Sequence, residues 1–177
     1  MKQVAVGKQI WNYIEIGSGR GNPIVIMHGW GRSGNEWVQI GSELSSQIGC
    51  KVYVLDLPGF GGSSLPRVTS ITDYSELVIE LMNYLKIKRS SLIGHSLGGR
   101  IAVYLAANYP DRVEKVVLVN PAAVKPPSIK RELLKVGSKV LGLIPINWRR
   151  MMAHGLMDED YRNSPALRDL YRALVAT

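Results

Sequence analysis

The ten residues S-L-I-G-H-S-L-G-G-R, Ser91 to Arg100, decide how this chain is read. They contain the pentapeptide Gly94-His95-Ser96-Leu97-Gly98, a Gly-x-Ser-x-Gly arrangement. A short apolar strand pattern precedes it, and Leu97 to Asn108 follows with helical character, stopped before Pro110. A serine at such a junction sits on a turn so sharp that side chains two positions away on either side would collide. Gly94 and Gly98 remove those side chains. The turn lifts the serine hydroxyl above the sheet, and the following helix directs its first amides at the same point. A tight turn holding a serine by chance is the bland alternative, and the ordered strand and helix on either side argue against it.

Outward from this point the first 120 residues alternate strand and helix signals. Val4 to Val6 and Ile10 to Ile16 read as a hairpin, and Gly17 to Pro23 as a turn. Ile24 to Met27 is a continuous apolar run expected of a strand buried on both faces. Ser33 to Ile48 carries a helical stripe through Trp37, Ile40, Leu44 and Ile48, and Lys51 to Leu55 is again a strand. A glycine-rich loop, Pro58 to Pro66, leads to a helix over Thr72 to Leu85 with Thr72 or Asp73 as its cap. Lys115 to Val119 is one more strand. Such alternation implies an α/β fold with a doubly wound, mostly parallel sheet of about six strands, because each right-handed crossover needs a helix to return the chain.

Beyond Pro121 the pattern changes. P-A-A-V-K-P-P is a rigid turn, and Ser128 to Leu143, Asn147 to Leu156 and Pro165 to Val175 are all helical in character. Two parts are therefore expected: an α/β core over 1–121 and a C-terminal helical segment over 122–177.

Composition narrows the function classes. With 46% apolar and 20% charged residues the chain has a globular profile, and no apolar run approaches the roughly 20 residues needed to cross a bilayer. Cys50 is the single cysteine, so no intrachain disulfide forms, and M-K-Q-V-A-V-G-K lacks the apolar region of a signal peptide. A cytoplasmic setting is expected. The net charge of +8 is concentrated late, with 10 basic against 5 acidic residues after position 120. Lys130, Arg131, Lys135 and Lys139 fall beside an apolar stripe without interleaved aromatics, which describes a solvated helix face rather than a nucleic-acid or membrane-surface footprint.

Two further segments fall at the carboxyl ends of expected strands: His28-Gly29-Trp30-Gly31 after I-V-I-M, and Asp56-Leu57-Pro58-Gly59-Phe60-Gly61-Gly62-Ser63 after V-Y-V-L. Open α/β sheets bind ligands beyond those strand ends, so three loops converge on one crevice. With H-G-W-G, D-L-P-G-F-G-G-S and G-H-S-L-G-G in this order, the chain resembles the α/β-hydrolase superfamily of serine esterases, and the resemblance extends to P-D-R-V and V-V-L-V-N-P after the nucleophile helix. The resemblance implies that Ser96 is the nucleophile and that the backbone amides of Trp30 and Leu97 form the oxyanion hole. It also implies that residues from about 122 onward are a helical cap over the site, that the substrate is a small-molecule ester or acyl compound, and that neither cofactor nor metal is used.

Other candidates read as structural. His28 orders its loop, Asp56 anchors the glycine-rich loop by local hydrogen bonds, His95 diverges from its neighbour at the elbow, and His154 packs among Met151, Met152 and Leu156. Trp37 and Tyr104 are core residues.

The chain departs from the family in one respect. The triad order is Ser, then Asp or Glu, then His on loops after later strands. No strand signal follows Val119, and the position after it is the uncharged Asn120. The expectation is a truncated form in which the family's last two strands and final helix, with the triad acid and base, are missing, and which self-associates or needs a complementing C-terminal segment. The competing reading is a non-catalytic binding module that kept the fold and lost the triad. Serine at the elbow argues against haloalkane and epoxide hydrolysis.

Overall fold

The computed structural model describes residues 1–66 and 70–121. The expected cap over 122–177, with its basic residues and His154, lies outside the described residues. In chain order the elements are β1 (Lys2–Val6), β2 (Gln9–Ile16), β3 (Ile24–Met27), α1 (Val38–Ile48), β4 (Val52–Asp56), α2 (Ile71–Tyr84), β5 (Ser90–His95), α3 (Leu97–Asn108) and β6 (Val113–Val119). They form one six-stranded sheet in the order β1-β2-β4-β3-β5-β6. β2 runs antiparallel to β1 and β4, and the other pairings are parallel.

Side-chain alternation along the strands divides the core into two layers. Val25, Met27, Tyr53, Leu55 and Leu92 face α2 and α3, where Tyr74, Val78, Leu81, Ile101 and Leu105 meet them. Ile24, Ile26, Val52, Val54 and Ile93 face the other way, with Trp37 and Leu44 packed against them. β3 is buried at all four positions because it has a strand on each side and a layer on each face.

The crossovers give this sheet its working end. From β3 the chain moves to β4 on one side, then crosses back to β5 and β6 on the other. The direction reverses at β3, so the loops leaving β3 and β5 part at their carboxyl ends and leave a crevice between them.

Four local expectations are corrected. The stretch from Ser33 begins as a 3-10 turn, Gly34–Trp37, and the α-helix starts only at Val38. Its apolar stripe is only in part the face it buries: Trp37 and Leu44 pack against the core, but Ile40 and Ile48 are exposed, whereas Gly41 and Ser45 are buried. A Cβ on Gly41 would stand 3.0 Å from Ile16 and 3.3 Å from Val54, so α1 lies against the sheet through its smallest residues. α2 is capped by Ser70, two residues before Thr72 and three before Asp73. The Ser70 hydroxyl accepts from the Asp73 amide at 3.1 Å and the Asp73 carboxylate accepts from the Ser70 amide at 3.0 Å, a reciprocal capping box. β6 also starts at Val113 rather than Lys115.

β6 is an edge of the sheet, and Val117, Leu118 and Val119 along it are exposed at 52%, 41% and 38%. An apolar strand edge is a template for pairing. The 177-residue chain is expected to sediment as species larger than the monomer at high micromolar concentration, with Val117→Lys moving it toward the monomer. A single sharp monomer boundary for the unaltered chain would refute this.

Candidate active site

Ser96 occupies the residue between β5 and α3 with φ 47° and ψ −107°, a positive φ that a non-glycine residue adopts only under constraint. Strain of this kind costs on the order of 1–3 kcal/mol and persists where the surroundings over-determine the backbone. Here the determinants are backbone contacts. A Cβ on Gly94 would run into the Gly98 carbonyl and stand 2.7 Å from Gly99 Cα. One on Gly98 would run into the carbonyl oxygen of Met27, at the end of β3. Both glycines of the pentapeptide are thus required by close approach.

Hydrogen bonds fix the elbow to both neighbouring strands. The Ser96 amide donates to the Val119 carbonyl at 3.2 Å, and the Gly98 amide donates to the His28 carbonyl at 3.1 Å. Between these committed donors stands Leu97, 5% exposed and the first residue of α3, whose amide has no partner within the helix by its position. The loop after β3 lies directly against Ser96. A Cβ on Gly29 would stand 2.7 Å from His95 Nδ1 and 3.2 Å from Ser96 Cβ. Trp30, the next residue, is half-buried, with its indole edge-on to Phe60 at 4.9 Å.

Two buried polar residues hold the loops. His28 is fully buried; its Nδ1 donates to the Gly29 carbonyl at 2.6 Å and its Nε2 accepts from the Leu57 amide at 2.9 Å. Burial pushes its imidazole below the usual 6.5, against opposing effects of the Gly29 bond and the Asp56 charge. Asp56, 3% exposed, accepts from the Gly34 amide at 2.7 Å with one oxygen. Its other oxygen accepts from Asn12 Nδ2 at 2.7 Å and the Gly62 amide at 2.9 Å. Tyr74 on α2 donates to the Pro58 carbonyl at 2.8 Å, and burial pushes that phenol far up. The structure therefore gives Asp56 the anchoring geometry expected of it. His95 lies closer to the β3 loop than divergence at the elbow suggested, its ring between Gly29 and Trp37, 6.2 Å from the latter.

Ser96, Gly29-Trp30 and the first turn of α3 are thus gathered at one end of the sheet. Such an arrangement can present a hydroxyl beside backbone donors to a carbonyl carbon. Among the described residues, no cluster of three or more metal-ligating side chains occurs, and no helix is long and apolar enough to cross a membrane.

Residues 22–143 match the family model described as alpha/beta hydrolase fold. The chain belongs to that family. Among alpha/beta hydrolase relatives, it is 33% identical over 125 residues to the dihydrolipoyllysine-residue acetyltransferase component of an acetoin cleaving system from Pseudomonas putida, covering 70% of this chain and 33% of that protein. It is 35% identical over 103 residues to a pimeloyl-[acyl-carrier protein] methyl ester esterase from Vibrio cholerae serotype O1, covering 58% of this chain and 38% of that one. The solved structure of the enol-lactonase from Burkholderia xenovorans LB400 superposes with a TM-score of 0.61 and 31% identity, covering 65% of this chain and 45% of that chain. The match spans only about a third of the length of these two curated relatives, 33% and 38%.

Two outcomes follow from the geometry. Gly98→Ala is expected to lower unfolding stability by about 1–3 kcal/mol, because backbone rather than a flexible side chain blocks the added methyl; an unchanged urea midpoint would contradict it. His28 takes up a proton more readily in the unfolded chain, near 6.5, than in the folded one. Its contribution to stability is therefore whole above that value and is lost as pH falls through it. The urea midpoint is expected to drop as pH falls below about 6.5 toward the lower folded-state value, and His28→Asn to remove part of that slope.

Proposed function

We propose that this chain carries the nucleophile and oxyanion hole of an alpha/beta-hydrolase serine ester hydrolase acting on small-molecule carboxylic esters or related acyl compounds. The observation that carries the reading is the constrained backbone of Ser96, held at φ 47° between β5 and α3 and against Gly29. In this reading the Ser96 hydroxyl adds to the acyl carbon as its proton passes to a general base, and the carbonyl oxygen becomes an oxyanion. The amides of Leu97 and Trp30 donate to that oxygen, where preorganised donors are worth most because charge develops there. Collapse expels the alcohol and leaves an acyl-enzyme on Ser96; water then releases the acid.

The general base is not His28, whose two nitrogens are both engaged in loop bonds. The triad acid and base are not assigned among the described residues, and the residues from 122 onward are read as the cap. The esterase and lactonase names of the relatives support the ester class. Serine at the elbow supports an acyl-enzyme route.

With a C-terminal portion that supplies the family's triad acid and base added, a fluorophosphonate probe is expected to label the chain at Ser96, located by peptide mass, and Ser96→Ala to abolish labelling and lower ester turnover by at least about 10³-fold. Labelling that persists in the alanine variant, or no labelling and no ester turnover even with that C-terminal portion added, would count against the proposal and favour a binding module that retains only the fold.

A further inference from the structure

His28 joins three segments that are far apart in sequence. Its Nδ1 bonds the Gly29 carbonyl in the loop after β3, its Nε2 bonds the Leu57 amide after β4, and its own carbonyl bonds the Gly98 amide in the first turn of α3. Its ring meets Phe60 edge-on at 5.7 Å, and Phe60 in turn meets Trp30. The partners dictate the proton's place. A carbonyl can only accept and an amide N–H can only donate, so Nδ1 carries the hydrogen and Nε2 the lone pair. The other tautomer would lose both bonds, and a cation would set Nε2–H against the Leu57 N–H.

The bond to Gly29 reaches the next residue through the planar peptide. In a trans peptide unit the carbonyl of Gly29 and the amide N–H of Trp30 point in opposite directions. Holding the Gly29 oxygen toward His28 therefore turns the Trp30 N–H away from it. The Arg32 amide also donates to the Gly29 carbonyl, at 3.3 Å, so the 2.6 Å His28 bond is the shorter of two holds on that oxygen, and position 29 needs them. It must be glycine, since a Cβ there would meet His95 and Ser96, and glycine offers little resistance to rotation of the following peptide.

We infer that His28, as the neutral imidazole with its proton on Nδ1, is a positioning residue that fixes the Gly29–Trp30 peptide and so aims the Trp30 amide into the crevice beside Ser96. The inference rests on the reading of Trp30 as an oxyanion donor given above. The ionisable groups that face His28 are Asp56 at the end of β4, Glu36 in the 3-10 turn and His95 at the end of β5. Asp56 already uses its oxygens on Gly34, Gly62 and Asn12, so it does not compete for the imidazole proton.

The test separates the two nitrogens. His28→Asn keeps a donor near Nδ1 and loses the acceptor for Leu57; His28→Gln keeps an acceptor toward Leu57 and loses the donor to Gly29. Both remove the ring, so both lose its packing. With the same C-terminal portion added, labelling of Ser96 by a fluorophosphonate is expected to slow no more than a few-fold in His28→Asn and by about 10²-fold in His28→Gln, the scale of one lost oxyanion donor. Rates that fall equally in the two variants, in step with their melting temperatures, would overturn the inference.

Nitrogen spectra of histidine-labelled full chain give a readout that needs no reaction. They are expected to show His28 with Nδ1 protonated and Nε2 bare at neutral pH, and the Trp30 amide signal is expected to hold its position in His28→Asn and move in His28→Gln. An Nε2-protonated or cationic His28 at neutral pH, or a Trp30 signal indifferent to both variants, would overturn it. Absence of labelling in the unaltered chain with that portion added bears on the proposed function, while these spectra decide the role of His28.

Discussion

The structure depends on how closely three backbone segments approach one another where β3 and β5 end. Gly98 lies on the last carbonyl of β3, Gly94 on the first turn of α3, and Gly29 on the side chains of His95 and Ser96. None of these contacts leaves room for a methyl group. At Gly94 and Gly98 the packing is therefore main chain against main chain, and it carries over into geometry what the strand order alone does not supply. Parallel strands place loops at one end, but only close approach brings Gly29 of one loop against Ser96 of another. Interiors packed at crystal-like density transmit such constraints with little slack.

Polar burial serves the same end. His28 and Asp56 are among the few buried polar side chains, and each is bonded to more than one loop. Their partners are mainly backbone groups, which would otherwise be left unsatisfied inside the protein. Asp56 reaches across the sheet to Asn12 on β2 and also fixes Gly34 and Gly62, so the 3-10 turn and the glycine-rich loop share one anchor. Tyr74 extends the arrangement to α2 through Pro58. The crevice is thus framed by groups whose bonding is settled before any ligand arrives, as preorganised catalysis requires.

Sequence made much of this legible, for reasons that can be given residue by residue. Ile24 to Met27 and Val52 to Asp56 are short apolar runs that suit strands covered on both faces, and the structure puts them at the centre of the sheet. The glycine pair around Ser96 announced the elbow, since only a crowded turn needs glycine two residues away on both sides. Other features were hidden. The burial of α1 through Gly41 and Ser45 runs against hydrophobic periodicity, because close approach to the sheet favoured small residues over apolar ones. The Ser70 cap could have been found from its S-x-x-D spacing with Asp73, a signal that lay upstream of the apolar pattern. The bond between Leu57 and His28 spans 29 positions and follows no periodicity, so only the folded chain shows it.

The strand order also governs when the sheet can be completed during synthesis. β3 pairs with β4 on one side, but its other partner, β5, begins only at Ser90, so residues 24–27 wait for residues 91–94. Until that stretch has left the ribosome, the middle of the sheet is an open edge of Ile24, Val25, Ile26 and Met27. Non-local parallel pairing of this kind is slow and exposes apolar strands while it waits. The segment that closes the sheet is also the one that holds Ser96. In the growing chain, the middle of the sheet and the turn at Ser96 are therefore reached together, before α3 and β6 complete the core and the edge.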